Sequence, residues 1–297
     1  MKNKKKKQLS KTSRLRKNPL YFRRLTGITA EKFDEIYEKL EPLYQEFNRK
    51  RLENKNKNRK RRVGAGSQFR LDLEDRLLML LIYYRTYTTH IFMGFLFNIN
   101  DSNVGRNINP LQPLLAGIFK ISEKKIAMSE DEIMDLFFDG TEQQINRPTK
   151  GQKKWYSGKK KKHTVKHQVV VAKVKKTKDE RTKLRIKAVS KSFYGKTHDK
   201  RIYEKSRNRS PDKTGKYGDN AYLGTVLIIP KKKPKGKELT KEQKEYNEIH
   251  SSMRVCVEHG IGKMKIWQIL TQRFRNKRKD HMLIFKNIAG LQNMMFG

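Results

Sequence analysis

Residues 137–148 read FFDGTEQQINRP, preceded by IMDL at 133–136. Apolar residues run straight into Asp139, and Gly140, Thr141 and Glu142 follow. The pattern predicts a buried strand that ends on a carboxylate. A carboxylate among apolar neighbours is costly unless it is paired or binds a metal ion. The same stretch marks a change of period: the residues before it are spaced as helices, and those after it as strands.

The charge balance points to the partner. The 297 residues include 71 Lys and Arg against 30 Asp and Glu, a formal charge of +41, with a sequence pI near 10.3. Such an excess implies a polyanion partner, and its bland counterpart is a basic structural protein such as a ribosomal one. The length predicts two domains. The single cysteine, Cys256, excludes an intrachain disulfide and a cysteine-based zinc site. The N-terminus MKNKKKKQLSKTSRLRK has no apolar segment after its charges, so it does not read as a secretory signal. The longest apolar run, LLMLLIYY at 77–84, is too short to span a bilayer. A soluble, cytoplasmic protein is expected.

Working outward, the first 18 residues read as a disordered basic arm. Thr29 caps an expected helix with Phe33, Ile36, Tyr37, Leu40, Tyr44 and Phe47 at helical spacing. RKRLENKNKNRKRR at 49–62 carries nine basic residues and one acid, and reads either as a solvated linker or as a contact to the DNA backbone. Residues 72–116 predict three short helices, the third capped by Asn100 or Asp101. Two short helices joined by a tight turn suggest a helix-turn-helix, which would face Ser102, Asn103 and Arg106 to a groove. Gly105 and Pro110 shorten that recognition helix to little more than two turns.

Beyond residue 133, strands are expected at IMDLFFD, KHTVKHQVVVAKV (162–174), KLRIKAVSKSF (183–193), GKYGDNAY and TVLIIP, the last closed by Pro230. A short helix at HDKRIYEKS interrupts them, and a long helix at about 240–270 and a tail helix from about 280 follow. The order is α/β with a mixed sheet of five strands. The expected boundaries are 1–66 for the arm, first helix and linker, 67–128 for the helix-turn-helix, and 129–297 for the α/β domain.

Three acids sit among apolar residues or at element ends: Asp139, Asp219 and Glu258. Phosphodiester chemistry uses such groups to hold two divalent ions about 3.5–4 Å apart. Mg2+ takes oxygen ligands and keeps several waters, so three carboxylates suffice. If the strands ending at Asp139 and Asp219 are parallel neighbours, both acids lie at one sheet edge. A helix packed on that sheet can then bring in Glu258. Asp199, in GKTHDKR, competes for the second place, but it opens a short helix and reads as its N-cap. For Asp219 the bland reading is a turn residue, and for Glu258 an i,i+4 pair with Arg254.

The blocks DGTEQQINRP, YSGKKKKHTVKHQVVV, SFYGKTHDKRIYEKS, GDNAYLG and YNEIHSSMRVCVEHGIGKMKIWQIL, in this order, resemble bacterial insertion-sequence transposases of the DDE superfamily, in the group related to Harbinger transposases. The resemblance runs from about residue 71 to the end. It implies an N-terminal helix-turn-helix and an RNase-H-like catalytic domain with a five-stranded mixed sheet. By position, Asp139, Asp219 and Glu258 match the family's catalytic, metal-holding acids. It also implies Mg2+ or Mn2+ as two ions, cleavage at transposon ends and strand transfer into target DNA. The expected partners are double-stranded DNA and a second copy of the chain. Lys160, Lys161, Arg254 and Lys265 are the candidates for gripping DNA near the acids, and the scattered histidines read as structural or phosphate-contacting. The alternative is a catalytically inactive, transposase-derived DNA-binding protein.

Overall fold

The computed structural model describes residues 10–53, 69–126, 133–175, 183–206, 208–210 and 214–296. The chain forms two compact units, Met1–Ile118 with Trp267–Ile269, and Phe119–Ile266 with Leu270–Gly297. Among the described residues no helix is long and apolar enough to cross a membrane.

The first unit is helical: α1 Lys11–Arg16, α2 Pro19–Thr26, α3 Ala30–Glu53, α4 Leu73–Thr86, α5 His90–Phe97 and α6 Asp101–Ile108, with α7 Leu111–Phe119 at its edge. Polar side chains start most of these helices by accepting free backbone N–H groups, from Ser10, Asn18, Asp72, Thr89 and Asn100. The centre is α4, buried from Asp75 to Tyr84. Phe22, Phe33, Ile36 and Leu40 supply further fully buried core from α2 and α3.

The expected disordered arm is corrected here, because from Ser10 onward the chain is folded. Asp75 accepts hydrogen bonds from the Lys11 and Thr12 amides (3.1 and 2.8 Å) and from the Thr12 hydroxyl (2.7 Å). Arg16 pairs with Asp34 and Glu74 and lies over the Phe33 ring at 5.3 Å. Charge density alone suggested a solvated arm, whereas the pairings with Glu74 and Asp75 are made across more than 50 residues of sequence and leave no local pattern. Residues 1–9, and most of the basic run 49–62, lie outside the described residues; α3 carries the run's first five residues, to Glu53.

The second unit contains β1 Ile133–Gln144, α8 Gln152–Trp155, β2 Tyr156–Ser157, β3 Lys162–Lys175, β4 Lys183–Val189, β5 Phe193–Tyr194, α9 Asp199–Ser206, β6 Gly215–Tyr217, α10 Lys241–Lys265, α11 Gln268–Thr271 (shared with the first unit) and α12 His281–Met295. The sheet has six strands among the described residues, where five were expected. Its main path is β2-β3-β1-β6, with β4 and β5 also paired to β3. It is mixed: β1 runs antiparallel to β3 and parallel to β6. Residues 225–230 form no strand and touch β6 only through a Tyr217–Ile228 bridge, with Val226 78% exposed. The expected strand 183–193 divides at Ser190, whose side chain accepts the Gln168 amide and donates to the Lys191 carbonyl. This breaks the run into β4 and β5.

One face of the sheet carries a core of Leu136, Phe138, Val170, Ala172, Ala188, Tyr222 and Leu227. On α10, Val257, Gly260, Ile261 and Met264 are buried. Gly260 permits the approach to β3, since a Cβ there would stand 3.0 Å from Val171 Cγ2. At the other end, β1, β3 and α12 are joined by a buried polar chain. His167 Nδ1 meets the Ser190 carbonyl (2.8 Å), His167 Nε2 meets His281 Nδ1 (2.9 Å), and His281 Nε2 meets Gln143 Oε1 (2.8 Å). Burial lowers both histidines, His167 to about 4, so they are structural, neutral groups near pH 7.

Replacing Asp75 by Ala strands two amides and a hydroxyl in a buried position, at a cost of about 2 kcal/mol or more. In a Trp155→Phe background, Trp267 fluorescence reports the first unit during urea denaturation. An unchanged midpoint would show that α1 does not depend on Asp75.

Candidate active site

Asp139 is not at a strand end: β1 continues through it to Gln144. The neighbouring parallel strand does end near Asp219, as expected. The β1–β6 pairing runs Asp135–Gly215, Leu136–Lys216, Phe137–Tyr217. Two residues further along each chain stand Asp139 and Asp219, level with each other just past the last pair. Their side chains act on one another: Asp139 is pushed up to about 6, first by burial and then by Asp219 and Asp199, while Arg254 opposes the shift. Asp139 also accepts the Gly140 amide at 2.8 Å.

Capping is reversed relative to expectation. Asp219 is the residue that caps a short 3-10 turn, Asn220–Tyr222, by accepting the Ala221 amide at 2.9 Å. Asp199 is the first residue of α9 rather than its cap; the Ile202 amide instead meets the His198 carbonyl (3.1 Å). Asp199 lies over β1, where a Cβ on Gly140 would stand 2.7 Å from its Oδ1. Lys166 of β3 holds it at 3.4 Å. The acid that was read as a structural cap therefore belongs to the same cluster as Asp139 and Asp219.

Tyr222 and Arg254 complete the cluster. The Tyr222 hydroxyl is raised well above its ordinary range by burial, and then by Asp199, Asp139 and Asp219. That hydroxyl and Arg254 Nε are both buried without a hydrogen-bond partner. Two buried donors beside three carboxylates call for an acceptor oxygen that the protein does not supply. Tyr222, Lys166 and Gly140 were not singled out from sequence; the signal for Tyr222 was its place three residues after Asp219 in GDNAYLG.

Glu258 does not join the cluster. It lies exposed on α10, one turn beyond Arg254. The apolar neighbours that suggested burial divide between two faces, with Val257 buried and Val255 41% exposed. Lys160, Lys161 and Lys265 are exposed. On α6, Ser102 and Arg106 are exposed, Asn103 is half-buried, and Arg106 donates to the Asn103 side chain at 3.1 Å. That helix spans eight residues, with Asn100 accepting the Ser102 amide, as the short reading of it required.

Among the described residues no three His, Cys, Asp or Glu side chains converge closely enough to hold a metal ion by themselves. The donor set nevertheless fits a hard divalent ion that takes two carboxylates and completes its shell with water and phosphate oxygens. The unsatisfied Tyr222 and Arg254 donors suit such oxygens.

Comparison with known proteins places this geometry. Residues 138–293 match the family model for the DDE superfamily endonuclease, and residues 69–138 match that for its helix-turn-helix. The chain is 31% identical over 280 residues to the probable transposase for insertion sequence element IS702 of Microchaete diplosiphon, covering 92% of this chain and 93% of that protein. The chain belongs to the DDE transposases of bacterial insertion sequences. A second relative is the putative transposase for insertion sequence element IS112 of Streptomyces albus G, 30% identical over 235 residues, which cover 78% of this chain and 84% of that protein. No solved structure matches the chain. For a DDE endonuclease a dependence on divalent metal is implied, and the helix-turn-helix marks the first unit as DNA-binding.

An ionised Asp139 costs this transposase stability when no metal is present. Its folded-state pKa, about 6, lies above the ordinary value of 3.8. The native state therefore binds the extra proton, and stability is full below pH 3.8 and is lost as pH rises through 6. Asp139→Asn removes the charge. In metal-free buffer it should stabilise the protein at pH 7.5 by on the order of 1–2 kcal/mol, and by nothing near pH 4. Denaturation at both pH values reads this, and equal destabilisation at both would contradict it.

Proposed function

We propose that the protein binds the ends of its insertion sequence as double-stranded DNA, cleaves there with Mg2+ or Mn2+, and joins the freed end to target DNA. The observation that carries this reading is the parallel register that sets Asp139 level with Asp219 beside the unpartnered Tyr222 and Arg254 donors. In hydrolysis, water adds to phosphorus and the 3′-oxygen leaves with a proton. In strand transfer, that 3′-hydroxyl attacks a target phosphodiester and displaces another 3′-oxygen. Bound divalent ions, two in this reading, would activate the attacking oxygen and stabilise the leaving one.

The roles of the chain's own residues follow. Asp139 and Asp219 would hold the ions. Glu258, exposed in the free protein, is the third acid of this reading and would have to approach the pair to share in holding them. Arg254 and Tyr222 donate to phosphate oxygens. The α6 residues Ser102, Asn103 and Arg106 read a groove, and Lys160, Lys161 and Lys265 contact the backbone. The second unit is read as RNase-H-like, and the protein as acting in the cytoplasm, as a homodimer on DNA. One observation favours the alternative of an inactive DNA-binding descendant: the exposed Glu258 leaves the three acids apart.

A set of four variants separates these readings. Asp139→Asn, Asp219→Asn and Glu258→Gln should each abolish Mg2+-dependent cleavage of a duplex carrying the element's ends, with band-shift affinity kept or slightly raised. The same set tests Asp199→Asn, which should retain measurable cleavage. Normal cleavage by Asp219→Asn with a dead Asp199→Asn would reverse the two assignments. Tight binding without cleavage by the unaltered protein would favour the inactive descendant.

Binding should depend steeply on salt, with a slope of log K against log[salt] on the order of −5 or beyond. Deleting 1–62 is a poor probe, because it removes α1 to α3 and their core residues. Deleting 1–9 and replacing the Lys and Arg of 55–62 by Gln should flatten the slope. An unchanged slope would make those residues spectators.

A further inference from the structure

Helix α5, His90–Phe97, reads HIFMGFLF and carries no Lys, Arg, Asp or Glu. A helix that is apolar all round needs cover on every side. This one is covered on one side only. Met93, Gly94 and Phe97 are buried, while Ile91 is 71%, Phe92 50%, Phe95 84% and Leu96 36% exposed. With about 100° between successive residues, these four fill an arc opposite the buried three.

The exposed face is held in a fixed shape. Thr89 starts the helix by accepting the Phe92 amide at 3.2 Å. Asn98 ends it in the left-handed region, at φ 53°, and its amide meets the Phe95 carbonyl at 3.2 Å. Gly94 lets the following turn close, since a Cβ there would stand 2.7 Å from the Ile99 carbonyl oxygen. Ile91 and Phe95 form one i,i+4 row along the helix, and Phe92 and Leu96 form a second. Two such rows with a groove between them suit the packing of another helix.

The surroundings narrow the occupant. These side chains offer phosphate no donor, and the polar face of the adjacent α6, with Ser102 and Arg106 exposed, suits DNA better. A helix that lies in a lipid surface carries Lys or Arg on a polar face, and α5 has no such face. The longest segment outside the described residues, NKNKNRKRRVGAGSQ at 54–68, and the N-terminal MKNKKKKQL have no apolar run to lay on it. A second copy of the chain fits, because a patch on a two-fold axis is its own complement. At a formal charge of +41 two copies repel across most of their surface, and a face without charge is where they can approach. We infer that two copies pair through α5, face to face about a two-fold axis. The inference rests on the DNA-transposase reading, with its two copies on DNA, and names the surface at which they meet. The four side chains expose on the order of 400 Å2, about half of the ~800 Å2 that each partner brings to a standard interface. The pair is therefore weak in solution. On DNA it tightens, because phosphates offset the repulsion and neighbouring sites on one duplex raise the effective concentration to about millimolar.

The first test is sedimentation equilibrium of the full chain without DNA. Raising salt from about 0.15 M to about 1 M shortens the reach of the repulsion from about 8 Å to about 3 Å, so association should tighten about tenfold, the reverse of DNA binding. Phe95→Gln removes the ring without adding charge and should leave a monomer. Ile91→Gln should weaken the pair, and Phe95→Leu should keep it. In the Trp155→Phe background the Trp267 urea midpoint should not move in any of them, which separates lost pairing from unfolding. The second test compares a duplex carrying two element ends with one carrying a single end. A second copy should bind about tenfold more tightly than the first, and Phe95→Gln should remove that gain with single-end affinity unchanged. A monomer at both salts that binds without cooperativity would overturn the surface. A pair that survives Phe95→Gln, or an equal loss of single-end affinity in that variant, would also overturn it. Phe95-dependent binding of anionic lipid vesicles by a chain that stays monomeric would overturn it in favour of a lipid surface. Salt-strengthened pairing that Phe95→Gln removes, in a chain that binds no element-end duplex, would sink the transposase reading and leave the pairing surface standing.

Discussion

Three residue pairs decide where the chemistry can sit. The parallel ladder of β1 with β6 joins only Asp135–Phe137 to Gly215–Tyr217, and the Phe137 and Tyr217 rings stack across it at 5.1 Å. Parallel strands point the same way, so residues at equal distances past a pair stay level. Asp139 and Asp219 are 80 residues apart in the chain (219 − 139 = 80), and this short register brings them together. A slip of one residue would turn Asp219 to the other face. The 12-pair antiparallel ladder of β1 with β3 supplies the rigidity that a three-pair ladder lacks.

Placing carboxylates side by side in a partly buried position works against folding. Cations from α10 and β3 offset part of that cost, Arg254 acting on Asp139 and Lys166 on Asp199. The compensation is incomplete, since Asp139 is still raised to about 6. The unpartnered Tyr222 hydroxyl and Arg254 Nε show the same incompleteness from the donor side. Acids short of positive charge and donors short of an acceptor, in one cluster, together suit a bound cation with phosphate. Binding would then relieve a strain already present in the free protein, as is common where function and stability compete.

The sequence made much of this fold legible, for physical reasons that also explain what it concealed. The β-branched run VVVAKV, the long helix on the Val257–Ile261–Met264 stripe and the short α6 cut off before Pro110 all depend on local period and propensity. The parallel relation of the strands bearing Asp139 and near Asp219 entered the sequence reading only as a condition, which the β1–β6 pairing meets. Features set by distant partners were not legible. Asp75 folds α1 onto α4, Ser190 splits one strand into two, and the expected strand at 225–230 becomes an irregular segment in which Leu227 is buried and Val226 exposed. The exposure of Glu258 was not legible because its flanking valines read as one environment, although adjacent helix positions point about 100° apart.

Asp199 carries the last step. A residue that opens a helix in sequence need not cap it, because capping depends on where the preceding backbone turns. Here that turn falls at His198, so the Asp199 side chain is released from the helix start and extends over Gly140 towards Asp139. Lys166 meets it there and keeps its charge from adding fully to that of Asp139. A Cβ at Gly140 would stand 2.7 Å from Asp199 Oδ1, so the Asp199 carboxylate would have to shift. The glycine after the first acid thus serves packing between charges rather than chain flexibility. A strand residue without a side chain is what allows a third aspartate to approach a pair in which burial, and after it repulsion, already raises the Asp139 pKa.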